Sequence, residues 1–253
     1  MKIYNQTSID RLPAGILFDT DNTLYDYAPA HRAALEAVCK KSVSQLSLTK
    51  DEFFETYTEA RTQIKNQLGR TASSHSRLLY LQRMMELAGL GSQVLLALEL
   101  EQTYWRTFLR KAILFDDVIE FLDDLRLLAI PMVIVTDLTA QVQFRKIVYF
   151  GLDRFFDFVV TSEEVGEDKP AADAFKLALE KMRNPRGSIW MIGDNPVNDI
   201  QGARRHINAV TFQKLHKGVA VGDGDQMPDV SFTRYGDLRR LLNRLSSEQP
   251  DER

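Results

Sequence analysis

The feature that most limits the possible folds of this chain is a series of short apolar runs, rich in β-branched residues. Five such runs occur, at 16–18, 132–135, 158–160, 189–192 and 209–212. Each is typical of a strand buried on both faces. From residue 117 on, the runs alternate with helix-like segments at 117–128, 141–149, 172–182 and 198–205. This alternation predicts an α/β fold, a parallel sheet with helices on both faces.

A second feature is a long helical segment between the first two runs. Thr49 and Glu52 have the spacing of a capping box that opens a helix, and Gly69 is placed to end it. Two further helical patterns cover 77–88 and 93–110. A crossover between parallel strands needs only about a dozen residues. We therefore predict an inserted helical subdomain at 25–114, and a core domain formed by 1–24 and 115–253.

Composition limits the possible partners. The chain has 253 residues, of which 44% are hydrophobic and 26% charged, as in soluble globular proteins. The formal net charge is -3, whereas proteins that bind nucleic acid or an anionic membrane surface usually carry an excess of positive charge, so neither partner is favoured. No apolar run approaches the roughly 20 residues that span a bilayer, and the start of the chain lacks a signal-peptide pattern. The single cysteine, Cys39, fits a reducing compartment, so we predict a cytoplasmic protein.

Polar residues follow the predicted strands where ligands bind in open α/β sheets, beyond the carboxyl ends of the strands. They are Asp19, Asp21, Thr136, Asp137, Ser162, Asp194 and Asp199, with Lys169 as a further candidate. Carboxylates that converge in one cleft repel each other unless a hard cation lies among them, and oxygen ligands suit Mg²⁺. A Mg²⁺ site with a lysine and a hydroxyl is suited to phosphoryl transfer.

A calcium loop and a structural turn are two other interpretations of the first acidic pair, Asp19 and Asp21. An EF-hand loop fails because Leu24 occupies the position that needs glycine and Ala30 the position that needs a bidentate glutamate. A structural turn that leads into a helix explains one or two polar residues after a strand. It does not explain polar residues at four strand ends.

Four stretches together resemble the motifs of the haloacid dehalogenase (HAD) superfamily of aspartate-nucleophile phosphatases, in the family's order. They are "ILFDTDNTL" at 16–24, "VIVT" at 133–136, "GEDKP" at 166–170 and "GDNPVND" at 193–199. The resemblance covers about residues 14–24 and 115–235. It implies a Rossmann-like core, a phosphatase activity, and a type 1 cap formed by the inserted helices.

The resemblance also implies roles for the reacting residues. Asp19 would be the nucleophile that forms an aspartyl-phosphate. Asp21 would be the general acid that protonates the leaving oxygen, and then the base that activates water. Thr136 and Lys169 would bind the phosphoryl oxygens.

The implied cofactor is Mg²⁺. Its ligands would be the side chains of Asp19 and Asp194 and the backbone carbonyl of Asp21. Asp199 would support the metal-bound waters or Lys169 from outside the ligand set.

One position departs from the family pattern. Asp137 follows Thr136 where the family commonly has asparagine. A negative charge near a phosphate weakens its binding unless the side chain points away or pairs with a cation. Arg145 and Lys146 are candidates for that cation.

The inserted subdomain is where we expect substrate selectivity, because lids of this kind complete a site around the substrate. The candidates are His75, Ser76 and Arg77, at the start of a predicted helix. Arg77 suits a second anionic group such as a carboxylate or a phosphate. A solvent-exposed helix start is the alternative for these three residues. Tyr25, Tyr27 and His31 are further candidates.

The predicted activity is magnesium-dependent hydrolysis of a small phosphorylated metabolite, such as a sugar phosphate, an acid-sugar phosphate or a nucleotide. A phosphomutase of the same superfamily shares all four motifs and stays an alternative. A non-catalytic binding module has no need of Asp19, Asp21, Lys169 and Asp194 together. Dehalogenase activity is disfavoured because dehalogenases usually lack the second aspartate, here Asp21.

Overall fold

The computed structural model describes residues 1–248, so the last five residues of the predicted core domain, 249–253, lie outside it. Within the described residues the strands are β1 (Lys2–Ile3), β2 (Gly15–Phe18), β3 (Met132–Thr136), β4 (Phe158–Thr161), β5 (Ile189–Gly193), β6 (Val210–Lys214) and β7 (Val230–Phe232). The helices are α1 (Tyr27–Leu46), α2 (Lys50–Leu68), α3 (Arg77–Leu87), α4 (Val94–Lys111), α5 (Val118–Leu127), α6 (Ala140–Tyr149), α7 (Ser162–Val165), α8 (Ala172–Lys181), α9 (Gly202–Ile207) and α10 (Tyr235–Glu248).

The described strands form one seven-stranded sheet in the order β1-β7-β6-β5-β2-β3-β4. Strand β1 pairs antiparallel with β7, and all other neighbours are parallel. From β2 the chain proceeds to β3 and β4 on one side, and from β5 to β6 and β7 on the other. The strand order therefore reverses between β2 and β5, which makes their carboxyl ends the expected position of a ligand. The predicted parallel α/β sheet is confirmed.

Alternate residues of the central strand β2 face opposite layers, as the pleat of a strand requires. Leu17 belongs to a core cluster with Phe175 and Ala178 of α8 and with Ala203 of α9. On the other face, the ring of Phe18 packs edge-on against that of Phe121 in α5, with 6.2 Å between centroids. Helix α10 continues that layer, since its Tyr235 ring lies 5.4 Å from that of Phe121.

The chain divides into two compact units: unit 1, formed by Met1–Asp26 and the chain from Ile113 on, and unit 2, Tyr27–Ala112. In unit 2, α1 packs against α4 and α2 against α3. The predicted capping box of α2 is present, because Glu52 N–H donates to Thr49 Oγ1 while Thr49 N–H donates to Glu52 Oε2. None of the helices in the described part of the chain combines the length and the apolar character that spanning a bilayer requires.

Three differences from the predicted elements are informative. Strands β1 and β7 extend the sheet beyond the predicted strands, and α10 adds a helix beyond the predicted ones. The predicted helix 198–205 begins instead as a π-helical segment, Pro196–Gln201, before α9. In that segment Asp199 N–H and Ile200 N–H both donate to Asn195 O, at 3.0 and 3.2 Å, which widens the turn.

Candidate active site

Lys169 lies at the centre of a buried ionic cluster in unit 1. Its ammonium donates to Asp19 Oδ1 at 2.8 Å, to Asp199 Oδ1 at 2.7 Å and to the Val135 carbonyl at 2.9 Å. Burial lowers the pKa of Lys169, but the charges of Asp19 and Asp199 outweigh burial and hold it well above its usual value. The lysine is therefore a fixed positive charge among carboxylates.

Asp19 follows β2 directly and is 8% exposed. Its backbone N–H donates to the Ile192 carbonyl of β5 at 2.9 Å, so the sheet itself fixes its position. The Thr23 hydroxyl donates to Asp19 Oδ2 at 3.0 Å. Burial raises the pKa of Asp19 to about 6, although Lys169 acts in the opposite direction. The side chain is thus largely ionised at pH 7 and poorly hydrated, as a carboxylate nucleophile needs to be.

Asp194 and Asp199 follow β5 on the neighbouring strand end. Asp194 Oδ2 lies 3.0 Å from His216 Nε2. Burial raises the pKa of Asp194, and the hydrogen bond from His216 opposes that rise. Asp199 Oδ2 accepts the Asn195 N–H at 3.0 Å. Gly193 permits this packing, because a Cβ at that position would lie 2.4 Å from Asp199 Cβ.

Three of these carboxylates fit a divalent cation. Asp19, Asp194 and Asp199 each offer an oxygen atom, and these atoms lie within 4.8 Å of one another. The donor set is made of oxygen only, which is the chemistry that hard divalent cations prefer. The cluster could therefore hold a divalent metal.

Thr136 ends β3 and is 3% exposed. Its hydroxyl accepts from Gln143 Nε2 at 2.8 Å and lies 2.8 Å from Thr20 Oγ1. Gln143 also donates to the Asp137 carbonyl at 2.7 Å, so one side chain of α6 fixes the turn that follows the strand.

Asp21 lies beyond β2 with its side chain 27% exposed. Lys146 Nζ of α6 donates to both of its carboxylate oxygens, at 2.8 and 3.0 Å. The Tyr25 hydroxyl donates to Asp21 Oδ1 as well.

Neither of the candidate cations, Arg145 and Lys146, pairs with Asp137. Lys146 pairs with Asp21, and Arg145 is exposed to solvent. Asp137 Oδ1 instead accepts the backbone N–H of Lys169 at 2.9 Å. Burial raises the pKa of Asp137 to about 6, with the Lys169 charge acting against it. The extra carboxylate therefore anchors the loop that carries Lys169.

In unit 2 the three selectivity candidates lie together at the start of α3. Ser76 Oγ accepts the Leu79 N–H at 3.3 Å and so caps the helix. Arg77 is 8% exposed, so the predicted alternative of a solvent-exposed helix start does not hold for this residue. Its guanidinium donates to the His75 carbonyl at 2.6 Å and to the Tyr27 hydroxyl.

Aromatic rings surround this guanidinium. It lies 5.4 Å from the ring centroids of both Tyr104 and Trp105 and 5.8 Å from that of Tyr80. Within the described part of the chain, the acceptors of the Arg77 guanidinium are a carbonyl and a hydroxyl rather than a carboxylate, and its Nε has no hydrogen-bond acceptor. Burial and the Arg77 charge lower the pKa of nearby His31 to about 4, so that His31 is neutral at pH 7.

Sequence reasoning missed several residues of the site. Thr23, Gln143 and His216 each contact a predicted site residue. Gln143 and Lys146 are three positions apart on α6 and both are buried. Helical periodicity predicts apolar residues on that side of a helix. Two polar side chains on the apolar side of α6 are the signal that could have identified them.

The comparisons with known proteins agree with this geometry. The sequence model of the haloacid dehalogenase-like hydrolase family matches residues 13–206 of this chain. The chain is 32% identical over 239 residues to ribulose-1,5-bisphosphate 5-phosphatase of Halopiger xanaduensis, covering 92% of this chain and all of that protein. It is 26% identical to phosphoserine phosphatase of Thermus thermophilus, covering 90% of this chain and 97% of that one.

Solved structures give the same result. The HAD phosphatase of Thermococcus onnurineus is 25% identical with a TM-score of 0.63, covering 90% of this chain and 97% of that one. A 2-haloacid dehalogenase of Pseudomonas syringae pv. Tomato shares the fold, with a TM-score of 0.71 at 23% identity over 92% of this chain and 99% of that one.

A carboxylate and lysine cluster at the switch point of a parallel sheet, with a family match over most of the chain, defines the class. The chain belongs to the haloacid dehalogenase-like hydrolases. The predicted superfamily is confirmed, and so is the predicted enzyme class, a phosphatase.

Proposed function

We propose that this protein is a magnesium-dependent phosphatase that hydrolyses a small phosphorylated metabolite through an aspartyl-phosphate on Asp19. The observation that carries the proposal is the buried Lys169 ammonium, which binds the carboxylates of Asp19 and Asp199 at 2.8 and 2.7 Å. A nucleophile, a fixed cation and further carboxylates at one sheet edge are suited to phosphoryl transfer.

The first half of the reaction would form the aspartyl-phosphate. An oxygen of Asp19 attacks phosphorus, and the bond from phosphorus to the leaving oxygen breaks. Lys169 and Thr136 bind the oxygens of the transferring group. The contact of Lys169 with Asp19 and the contact of Gln143 with Thr136 support these roles. Asp21 donates its proton to the leaving oxygen as that oxygen departs with the bonding electrons.

The second half would hydrolyse the intermediate. Asp21, now ionised, takes a proton from water, and the water oxygen attacks phosphorus. The bond between phosphorus and the Asp19 oxygen breaks, which returns Asp19 as a carboxylate and releases inorganic phosphate. Asp21 regains the proton that it gave in the first half.

Asp19, Asp194 and the backbone carbonyl of Asp21 would hold Mg²⁺, which when bound neutralises charge on the phosphoryl oxygens. The clustering of the Asp19 and Asp194 oxygens supports this assignment. Both oxygens of Asp199 already accept hydrogen bonds, from Lys169 Nζ and from Asn195 N–H. This favours the supporting role for Asp199 over direct ligation.

We assign substrate selectivity to unit 2 as a type 1 cap, with His75, Ser76 and Arg77 as the candidates. The compounds named for two relatives, ribulose-1,5-bisphosphate and phosphoserine, each carry a second anionic group. A buried guanidinium that has no carboxylate partner in the described chain, and whose Nε has no acceptor there, supports a ligand of that kind, because a buried charge is stabilised by an opposite charge beside it. We therefore expect the substrate to carry a second phosphate or a carboxylate.

The test is phosphate release from a panel of phosphate esters. Each compound that has a second anionic group is paired with an analogue in which a neutral group replaces that second group. Each compound is assayed with Mg²⁺, with EDTA and with Asp19→Asn, and Asp153→Asn at an exposed aspartate is the matched control. We expect phosphate release that depends on Mg²⁺, that Asp19→Asn abolishes and that Asp153→Asn leaves unchanged. An isomeric phosphate ester in place of free phosphate would indicate the mutase, and no turnover of any compound would contradict both.

A further inference from the structure

Lys146 contacts Asp21, and the reaction described so far gives Lys146 no role. Lys146 belongs to α6 and is 2% exposed. Its ammonium donates to both oxygens of the Asp21 carboxylate, which lies 125 positions earlier in the sequence. A lysine on a helix ordinarily extends its flexible stem so that the ammonium reaches water. Here the ammonium is directed inward onto the side chain that our proposed function makes the general acid and base.

A second residue holds the same carboxylate. The Tyr25 hydroxyl donates to Asp21 Oδ1, and the Tyr25 ring lies 5.0 Å from that of Phe150 in a tilted stack. The Lys146 ammonium lies 5.9 Å from the centre of the Tyr25 ring. Asp21 is thus held from two directions, by a helix of unit 1 and by the segment that follows β2.

Such contacts matter because Asp21 stands after the strand, on irregular backbone, with its side chain 27% exposed. A carboxylate in that position has several rotamers open to it, whereas a general acid has to lie within hydrogen-bond reach of the leaving oxygen. A two-point contact with a buried ammonium selects one rotamer and leaves the exposed part of the side chain accessible.

We propose that Lys146 is a positioning residue, which together with Tyr25 holds Asp21 where it delivers its proton to the leaving oxygen. This inference rests on the proposed role of Asp21. It adds no chemical step: Oδ1 remains the acceptor of the Lys146 and Tyr25 contacts, while the proton passes from Oδ2 to the leaving oxygen and later from water back to Oδ2. Lys146 gives up no proton and acts only through its contact with the carboxylate.

The role predicts an effect that depends on the leaving group. An alkyl phosphate releases a strongly basic alkoxide, so its cleavage needs the proton from Asp21. An aryl phosphate such as p-nitrophenyl phosphate releases a weakly basic phenolate, so its cleavage depends little on that proton. Loss of the positioning contact should therefore slow alkyl phosphates selectively.

The experiment measures single-turnover release of the leaving group, which isolates the first half of the reaction from hydrolysis of the intermediate. Lys146→Met is compared with Arg145→Met, its exposed neighbour on the same helix. We expect Lys146→Met to slow an alkyl phosphate about tenfold or more, a part of the usual 10²- to 10⁴-fold contribution of an acid. The rate with p-nitrophenyl phosphate should change far less, and Arg145→Met should change neither rate.

Two further variants keep the test decisive if Lys146→Met folds poorly. Tyr25→Phe removes the second contact to Asp21 without changing a charge, and it should show the same selectivity for alkyl phosphates. In an Asp21→Asn background, Lys146→Met should cause no additional loss, because the residue acts only through that carboxylate.

Equal slowing of both substrates, or a full additional loss in the Asp21→Asn background, would overturn the inference. A failure of the proposed function is distinguishable, because then Asp19→Asn would retain turnover whatever the Lys146 variants do.

Discussion

Lys169 Nζ lies 2.7 Å from Asp199 Oδ1, slightly closer than the 2.8 Å that separates it from Asp19 Oδ1. Asp199 is itself held by the Asn195 N–H and packs against Gly193, so it is a fixed anchor for the ammonium. A lysine anchored in this way can balance the charge of Asp19 without moving. This relationship leads to the first prediction.

Lys169→Met should abolish phosphate release and destabilise the protein by about 3–5 kcal/mol, since it leaves buried carboxylates without their cation. Lys181→Met is the matched control, because the Lys181 pair with Glu164 is partly exposed and such pairs contribute about 1 kcal/mol or less. Urea unfolding in EDTA measures both variants. Similar losses for the two lysines would contradict the importance of the buried cluster.

Gly193→Ala should disturb the site through sterics alone. An added Cβ would lie 2.4 Å from both Cβ and Cγ of Asp199, so the aspartate has to shift. We expect a loss of about 1–3 kcal/mol and weaker metal binding. In Gly15→Ala the added atom meets the Met182 thioether at 2.8 Å, the end of a flexible side chain, so the loss in stability should be smaller and metal binding unchanged. Thermal unfolding with and without Mg²⁺ distinguishes the two variants.

Lys214 gives a pH dependence of stability. Burial lowers its pKa to about 8, although Asp194 and Asp26 act to raise it. Between about pH 8 and 10.5 the unfolded chain binds more protons than the folded one, so stability rises with pH over that window. Below pH 8 the destabilisation is fully present.

Lys214→Met should remove that destabilisation, raising the free energy of unfolding at pH 7 by up to about 3 kcal/mol. The gain should shrink as the pH approaches 10.5. Urea unfolding in EDTA at pH 7 and pH 10 is the measurement, and Lys176→Met, at an exposed lysine, is the control. A gain of the same size at both pH values would show that Lys214 does not titrate in this way.

Mg²⁺ should stabilise the folded protein, because a ligand that binds only the native state adds about 2.7 kcal/mol at a hundred times its Kd. Asp194→Asn should lower Mg²⁺ affinity at least about tenfold, since changes even beyond the direct ligands commonly cost 10- to 100-fold. Glu180→Gln changes an exposed carboxylate and should leave the thermal shift unchanged. An unaltered shift in Asp194→Asn would remove Asp194 from the metal site.

The sheet and the cluster at its edge could be predicted because both depend on local patterns. Apolar runs determine which strands are buried, and the residues after those runs necessarily meet at one edge of a parallel sheet. Helix α10 carries a usable signal beyond the predicted elements: Leu238, Leu241, Leu242 and Leu245 have helical spacing and are buried. Strand β1 carries none, because two residues are too few to show an alternating pattern.

The partner of Asp21 could not be predicted from the sequence. Proximity in sequence favours Asp137 as the partner of Lys146, whereas the fold brings Lys146 to Asp21 across 125 positions. Which of two carboxylates a lysine meets depends on how α6 lies on the sheet. Hydrophobic periodicity gives the buried side of a helix but not its axial position, so it does not distinguish the two carboxylates.

The central claim is that Asp19 carries the phosphoryl group, and trapping the intermediate tests it most directly. Borohydride added during turnover of a good substrate reduces an aspartyl-phosphate to homoserine, which peptide mass spectrometry locates in the sequence. The account predicts homoserine at position 19, dependent on substrate and lost in Asp19→Asn. Reduction at another carboxylate, or none during steady turnover, would contradict it.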